Sequence, residues 1–345
     1  HDYFALGTLV YYTVFGEIPS PNADVNELLK GRISKGTYST YLGSIELSPR
    51  LTDILRGLLT DNVNERWGYD HVVQWIKGKR FNLIKPGVRK EAVRSYDFGG
   101  ISHVSKRLLA HTYYQKWDEA AFDIRDKKLA KWLELSANDK STAGEIASAV
   151  SGTGGEKTKS RQDNDELVAR SLVILDNDAP IRFHEISMHL DGIGPVLASA
   201  WVNQNQSELT YFVEIIRMNL PDFKAVRDAD SEKVDRWTLQ RQQSYIKYKT
   251  LGYGLERVLY DLNPTLPCQS PMLSQQFIID INQLLYFLND NAAKLTNSEP
   301  VDRHIAAYIA SKLELASEIR LKIMTRFHRN EAAITQLTKL ALLAF

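Results

Sequence analysis

The segment nearest to a recognisable piece of chemistry is GTGGEKT, Gly152 to Thr158. A phosphate-binding loop needs Gly-x4-Gly-Lys-Ser/Thr after a strand and at the start of a helix, so that backbone N–H groups meet the phosphates. Here Glu156 stands where the last glycine belongs and would set a carboxylate beside the phosphate, and no β-rich run precedes it. The segment reads as a decoy. Asp176-Asn-Asp178 invites a calcium-loop reading, which Pro180 and the missing glycine at the sixth position defeat. His184 and His189 fall on different faces of a helix and have no obvious ligand partner, so a metal site is not expected there. Glu214, Asp235 and Glu256 are scattered and read as solvated helix charges. RWTLQRQQSYIKYK, 236–249, mixes cations with aromatics as nucleic-acid binders do, but it also fits a surface stripe beside core Trp237, Leu239 and Tyr245. Nucleic acid is therefore not the expected partner. No catalytic residue and no metal ligand is assigned.

The totals narrow the classes further. The chain has 345 residues, with 43 basic against 42 acidic side chains, a net charge of +1 and 43% hydrophobic residues. That balance exerts no general pull on nucleic acid or anionic lipid. Cys268 is the lone cysteine, which excludes an intramolecular disulfide and Cys-x-x-Cys zinc clusters and fits a reducing, cytoplasmic location. The opening run Tyr3 to Phe15 is too short to span a bilayer, which takes about 20 apolar residues. It also lacks the basic region of a signal peptide. It reads as a core helix, apolar all round because protein surrounds it, and a soluble chain with no membrane partner is expected.

The elements around that run follow from local signals. Ser48-Pro49 opens a helix with apolar residues at 51, 54, 55, 58 and 59. TDNVNERWG is a polar turn, and YDHVVQWIKG is a short helix with Val72, Val73 and Ile76 on its apolar side and Gly78 at its end. Residues 86–150 form a helical connector of two or three packed helices, marked by Leu108, Leu109, Trp117, Ala121, Phe122, Leu129 and Trp132. Residues 151–166 hold no large apolar side chain before Leu167 and read as a flexible linker. Residues 167–345 read as an all-α domain: a helix from Asp178 to about Gly192, then PVLASAWV, ELTYFVEIIRMNL, one continuous helix from Lys233 to Leu262, LSQQFIIDINQLLYFLNDNAAKL, and VDRHIAAYIASKLELASEIRLKIMTRF.

Residues 1–85 resemble the C-terminal part of the helical lobe of eukaryotic-like, bacterial-type Ser/Thr protein kinases. The resemblance is carried by Asp2, Phe4, Leu6, Gly7, Gly16 and Pro19, then Leu47, Ser48, Leu58, Leu59, Asp61, Arg66 and Trp75. It departs at Asn62-Val63, where the family places proline after an aspartate. The resemblance implies a mainly α fold: the back of a kinase lobe plus a separate all-α C-terminal domain. It implies that Tyr3 to Phe15 is a hydrophobic helix through the lobe and that Gly7 admits a neighbouring backbone. By the same resemblance Asp2 holds the catalytic loop and Leu9 supports the floor under the adenine ring. Arg66 is implied to pair with the glutamate that ends the activation segment.

The Gly-rich loop, the phosphate-binding lysine, the catalytic Asp and Asn, and the Asp-Phe-Gly of the family have no counterpart in the chain. The resemblance thus implies a piece of a longer kinase. ATP and Mg would be used by the parent chain and not by this piece, whose partners would be the missing N-terminal kinase segment and a protein substrate or regulatory protein. The rival expectation is a pseudokinase-like scaffold, or a helical protein-interaction module, without catalysis.

Overall fold

The apolar run Tyr3 to Phe15 is helical: α1 spans Asp2–Phe15 in the computed structural model of the protein. The structure describes residues 2–19, 24–43, 45–81, 91–155, 160–227, 236–291 and 301–312. The fold is mainly α, and the chain divides into two compact units, His1–Ser148 and Ala149–Phe345.

In the first unit, α1 is followed by α2 (Val25–Lys35), α3 (Thr37–Leu42), α4 (Pro49–Leu58) and α5 (Tyr69–Ile76). Pro49 sits in the first turn of α4 after Ser48, where its missing N–H costs nothing. Tyr11, Leu42, Ile54, Leu55, Leu58, Leu59 and Trp67 make a buried core, with Phe4, Leu6, Val10, Phe15 and Trp75 packed against it. Two glycines set how closely α4 can be approached. A Cβ at Gly7 would lie 2.9 Å from Leu58 Cβ, and one at Gly57 would lie 2.2 Å from Trp67 Cδ2. Neither position admits a side chain without displacement.

The stretch after the first helical group is not helical from its start. β1 (Tyr96–Phe98) and β2 (Ile101–His103) form an antiparallel hairpin around Gly99 and Gly100, both at positive φ. Four helices follow, against an expected two or three: α6 (Lys106–Gln115), α7 (Trp117–Arg125), α8 (Lys127–Leu135) and α9 (Lys140–Gly152). Leu109, Trp117, Ala121, Leu129 and Trp132 are buried as their spacing predicts, whereas Phe122 is exposed. Asp123 explains part of the packing, since it accepts hydrogen bonds from Tyr96 (2.8 Å) and Tyr113 (2.5 Å), so both phenols reach a partner inside the core.

The second unit departs from its reading in four places, one of them the expected helix from Leu273, which begins only at Ile281 because residues 274–280 are not helical. The expected linker 151–166 is helical at both ends, with α9 running to Gly152 and α10 spanning Arg161–Leu175. Ser160 and Asp163 close a reciprocal capping box at the start of α10, a local signal strong enough to begin a helix without apolar residues. The expected helix 178–192 is replaced by an antiparallel hairpin, β3 (Ile181–Phe183) paired with β4 (Ile186–Met188). Ile181, Phe183, Ile186 and Met188 are buried and alternate with more exposed residues, a period of two that Pro180 helps to start by blocking helix propagation. The single helix expected over 233–262 is two, α14 (Arg236–Lys247) and α15 (Leu255–Leu262), separated by Gly252 and Gly254 at positive φ.

The remaining helices are α11 (Ile193–Val202), α12 (Gln206–Arg217), α13 (Leu220–Ala225), α16 (Ile281–Asp290) and α17 (Arg303–Lys312). Ile305 and Ile309 are buried on α17, while the rest of the expected final helix, and Asp235, lie outside the described residues.

Among the described residues no helix is long and apolar enough to cross a membrane.

Candidate functional site

The three residues singled out in the first unit lie on or beside α1, and they do not converge. Asp2 is exposed in the first turn of α1, where a carboxylate complements the helix dipole. Leu9, one to two turns on, is 59% exposed. With Tyr12 (50% exposed) and Ala5 it forms an uncovered apolar side of the helix, opposite the side on which Gly7 and Tyr11 are buried. The expectation that protein surrounds α1 is therefore not met among the described residues. One side packs on α4 and the other faces outward.

Arg66 is better held. Its guanidinium lies 5.1 Å from the centre of the Phe4 ring, and Arg32 lies 5.4 Å from the same ring. Nε of Arg66 donates to the Thr60 carbonyl (2.8 Å) and Nη2 to the Asp61 carbonyl (3.2 Å). Asp61 itself accepts from the Thr37 amide at 3.0 Å and from the Thr37 hydroxyl, and Arg32 Nε donates to that hydroxyl at 3.0 Å. Burial and the neighbouring Arg32 charge pull the Arg66 guanidinium below its ordinary range, while Asp61 opposes them. Two guanidiniums, Arg32 and Arg66, thus meet over Phe4 near the N-terminal end of α1. Such a pair suits an incoming carboxylate. Trp75 is anchored at the other end of α4, donating to the Arg50 carbonyl (3.0 Å) with the Arg50 guanidinium over its ring at 4.9 Å.

In the second unit the polar clusters are structural. Tyr260 Oη accepts from the Gln269 amide at 2.8 Å and lies 2.8 Å from His304 Nδ1, which accepts the phenol proton when His304 is the neutral Nε2–H tautomer. Cys268 is 4.0 Å from the same phenol. Burial first, and the Asp302 charge after it, push the Cys268 thiol up to about 11 against the hydrogen bonds it makes. A thiol held there is protonated at neutral pH and is no nucleophile.

Glu256, read as a solvated charge, is buried and pairs with Arg303 (Nε–Oε1 2.7 Å). Its partner sits 47 positions away, which no local pattern reveals. Glu214 pairs with Arg217 on the surface of α12. His184 stands at positive φ in the β3–β4 turn, stacked on Tyr211 (4.7 Å) and 3.2 Å from Asp165; His189 is exposed elsewhere. Trp237, expected in the core, is 66% exposed, whereas Leu239 and Tyr245 are buried as expected.

No group of three His, Cys, Asp or Glu side chains among the described residues could hold a metal ion. Gly154 and Gly155 of the decoy loop follow the C-terminal end of α9, whose dipole repels an anion. No known protein family, curated protein or solved structure compared with the chain matches it.

Proposed function

We propose that the first four long elements, α1, α2, α4 and α5, are the rear of a Ser/Thr protein-kinase helical lobe, and that the whole is the C-terminal part of a cytoplasmic kinase whose second unit recruits a substrate or regulatory protein. The observation that carries the reading is the two-sided character of α1. Gly7 seats it on Leu58 and Leu59 of the α4 end, and its opposite side presents Leu9 and Tyr12 outward. An apolar helix with one seated and one open side is what such a lobe leaves when the segments before α1 are elsewhere. The cationic corner of Arg66 and Arg32 over Phe4 supports the same reading, because it provides a seat for the glutamate that closes the family's activation segment. Mg-ATP and a protein hydroxyl belong to the parent chain. No step is assigned to residues of this one.

The test is to express the chain together with the coding sequence upstream of His1 and to measure transfer of the γ-phosphate from Mg-ATP to serine and threonine of casein. The extended chain is expected to transfer phosphate and the 345-residue chain not to. Arg66→Ala in the extended chain is expected to lower transfer by more than the factor of about ten that 1.4 kcal/mol represents. An extended chain that folds but neither binds nucleotide nor transfers phosphate overturns the catalytic reading. One that binds the upstream segment through α1 without transfer identifies the scaffold instead.

A further inference from the structure

We propose that His304 is a proton-operated latch: when its ring takes up a proton, the start of α17 lifts from α15 and opens the cover over Cys268. The contact that closes the latch depends on which atom holds the proton. Tyr260 Oη on α15 accepts from the Gln269 amide (2.8 Å), and its own proton goes to His304 Nδ1 (2.8 Å) when that ring is neutral. A protonated ring turns Nδ1 into a donor. The phenol proton then has only the Cys268 sulfur at 4.0 Å, a weak acceptor.

The surroundings decide which way the latch is set. His304 is the second residue of α17, and the N-terminal end of a helix dipole repels a positive charge. The charged and titratable groups that face it are Glu256 and Tyr260 on α15, Cys268 beyond it, and Asp302 and Arg303 at the start of α17. Glu256 is held by Arg303 (2.7 Å), and Asp302 accepts from the Ser270 hydroxyl (2.5 Å) and the Ile305 amide (2.8 Å). Arg257 and Asp261 on α15 pair with each other at 2.8 Å, and α11, whose Trp201 meets the ring at 4.8 Å, carries no charged side chain. Burial lowers the proton affinity of His304, Glu256 and Asp302 oppose it, and Arg303 assists it. The seated form therefore takes up a proton below the ordinary histidine range of about 6.5, and the lifted form within it. Lifting is favoured as pH falls through that range. The lone cysteine reports it, because Cys268 is 3% exposed and is an electrostatic neighbour of the buried Tyr308 on α17. The inference stands on the second unit alone and is independent of the kinase reading.

The experiment uses the full chain and the rate at which 4,4′-dithiodipyridine labels Cys268, at about pH 7.5 and about pH 5.5, on either side of the histidine range. Each rate is divided by that of the urea-unfolded chain at the same pH, which removes the titration of the thiol itself. This ratio is expected to rise about tenfold on acidification and to stay flat in up to about 1 M urea, since a local opening exposes little surface. His304→Gln should abolish the rise, and His189→Gln, at an exposed position, should keep it. If His304→Gln does not fold, Tyr260→Phe takes its place: without the phenol, the ratio at the higher pH should already be raised. The proposal is overturned by a ratio that does not change with pH, by a rise that His304→Gln retains, or by a Tyr260→Phe ratio that is not raised. It is also overturned if labelling climbs with urea as steeply as unfolding followed by circular dichroism, because Cys268 would then be reached only through global unfolding.

Discussion

Single side chains in this protein are constrained most tightly where one atom's presence or charge is excluded. At Gly57 the excluded atom is a Cβ, which would fall 2.2–2.4 Å from three atoms of the Trp67 indole. Gly57→Ala must therefore move a buried ring or bend α4, and a loss of about 1–3 kcal/mol is expected from overpacking of this kind. Urea unfolding followed by circular dichroism measures it. Combining Gly57→Ala with Trp67→Leu should lose less than the sum of the two single changes, because the clash is shared. At His304 the excluded species is a proton. Burial among Trp201, Tyr260 and α17 lowers its affinity for one, against the pull of Glu256 and Asp302 and with the help of Arg303. The unfolded chain then binds more protons than the folded one below the ordinary histidine range of about 6.5. Stability is full above that pH and is lost as pH falls through it. Protonated His304 would also turn its Nδ1 from acceptor to donor, leaving the Tyr260 proton only the distant Cys268 sulfur. The thermal midpoint is expected to fall between about pH 7 and pH 5, and His304→Gln to flatten that slope. An unchanged slope in the variant would assign it to other groups.

Whole elements show which local signals were sufficient. Ser48-Pro49, the spacing of Ile54, Leu55 and Leu58, and the apolar run of α1 placed α1, α4 and α5 correctly, because each signal lies within the element it defines. The hairpins were missed for a different reason. Strands of three residues are too short to display alternation against a helical background, and the β3–β4 turn uses His184 at φ 49° where a glycine would have announced it. Glu256 and Trp237 were misplaced because burial of one and exposure of the other depend on distant partners and not on spacing. The α10 start is legible in the sequence, since Ser160 and Asp163 are three apart, the spacing of a capping box. Its contribution can be isolated. Ser160 Oγ accepts from the Asp163 amide at 3.2 Å, while Asp163 accepts from the Ser160 amide at 3.1 Å. Ser160→Ala should lower stability by about 1 kcal/mol, with Ser160→Gly losing only a few tenths. A thermal melt of the two variants side by side checks this, and equal losses would mean that the side-chain bond is not what starts the helix.

Over the whole molecule the unresolved tension is at α1, where an element with the composition of a core helix has only part of its surface in a core. Leu9 and Tyr12 are each at least half exposed, so truncating them removes little packing from this chain. Leu9→Ser combined with Tyr12→Ser is expected to leave the thermal midpoint of the 345-residue chain unchanged, to reduce binding of a dye such as ANS, and to reduce self-association in sedimentation velocity runs. The same double variant in the upstream-extended chain has the opposite expected effect. If segments before α1 pack on that side, each truncation creates a cavity or buries a hydroxyl, and losses of about 2–5 kcal/mol follow for a leucine alone. The contrast between the two chains is the measurement that matters, because exposure alone predicts no effect in either. A double variant that is harmless in both chains leaves α1 with an outward face that nothing upstream covers, and removes the physical basis for assigning the first unit to a kinase lobe.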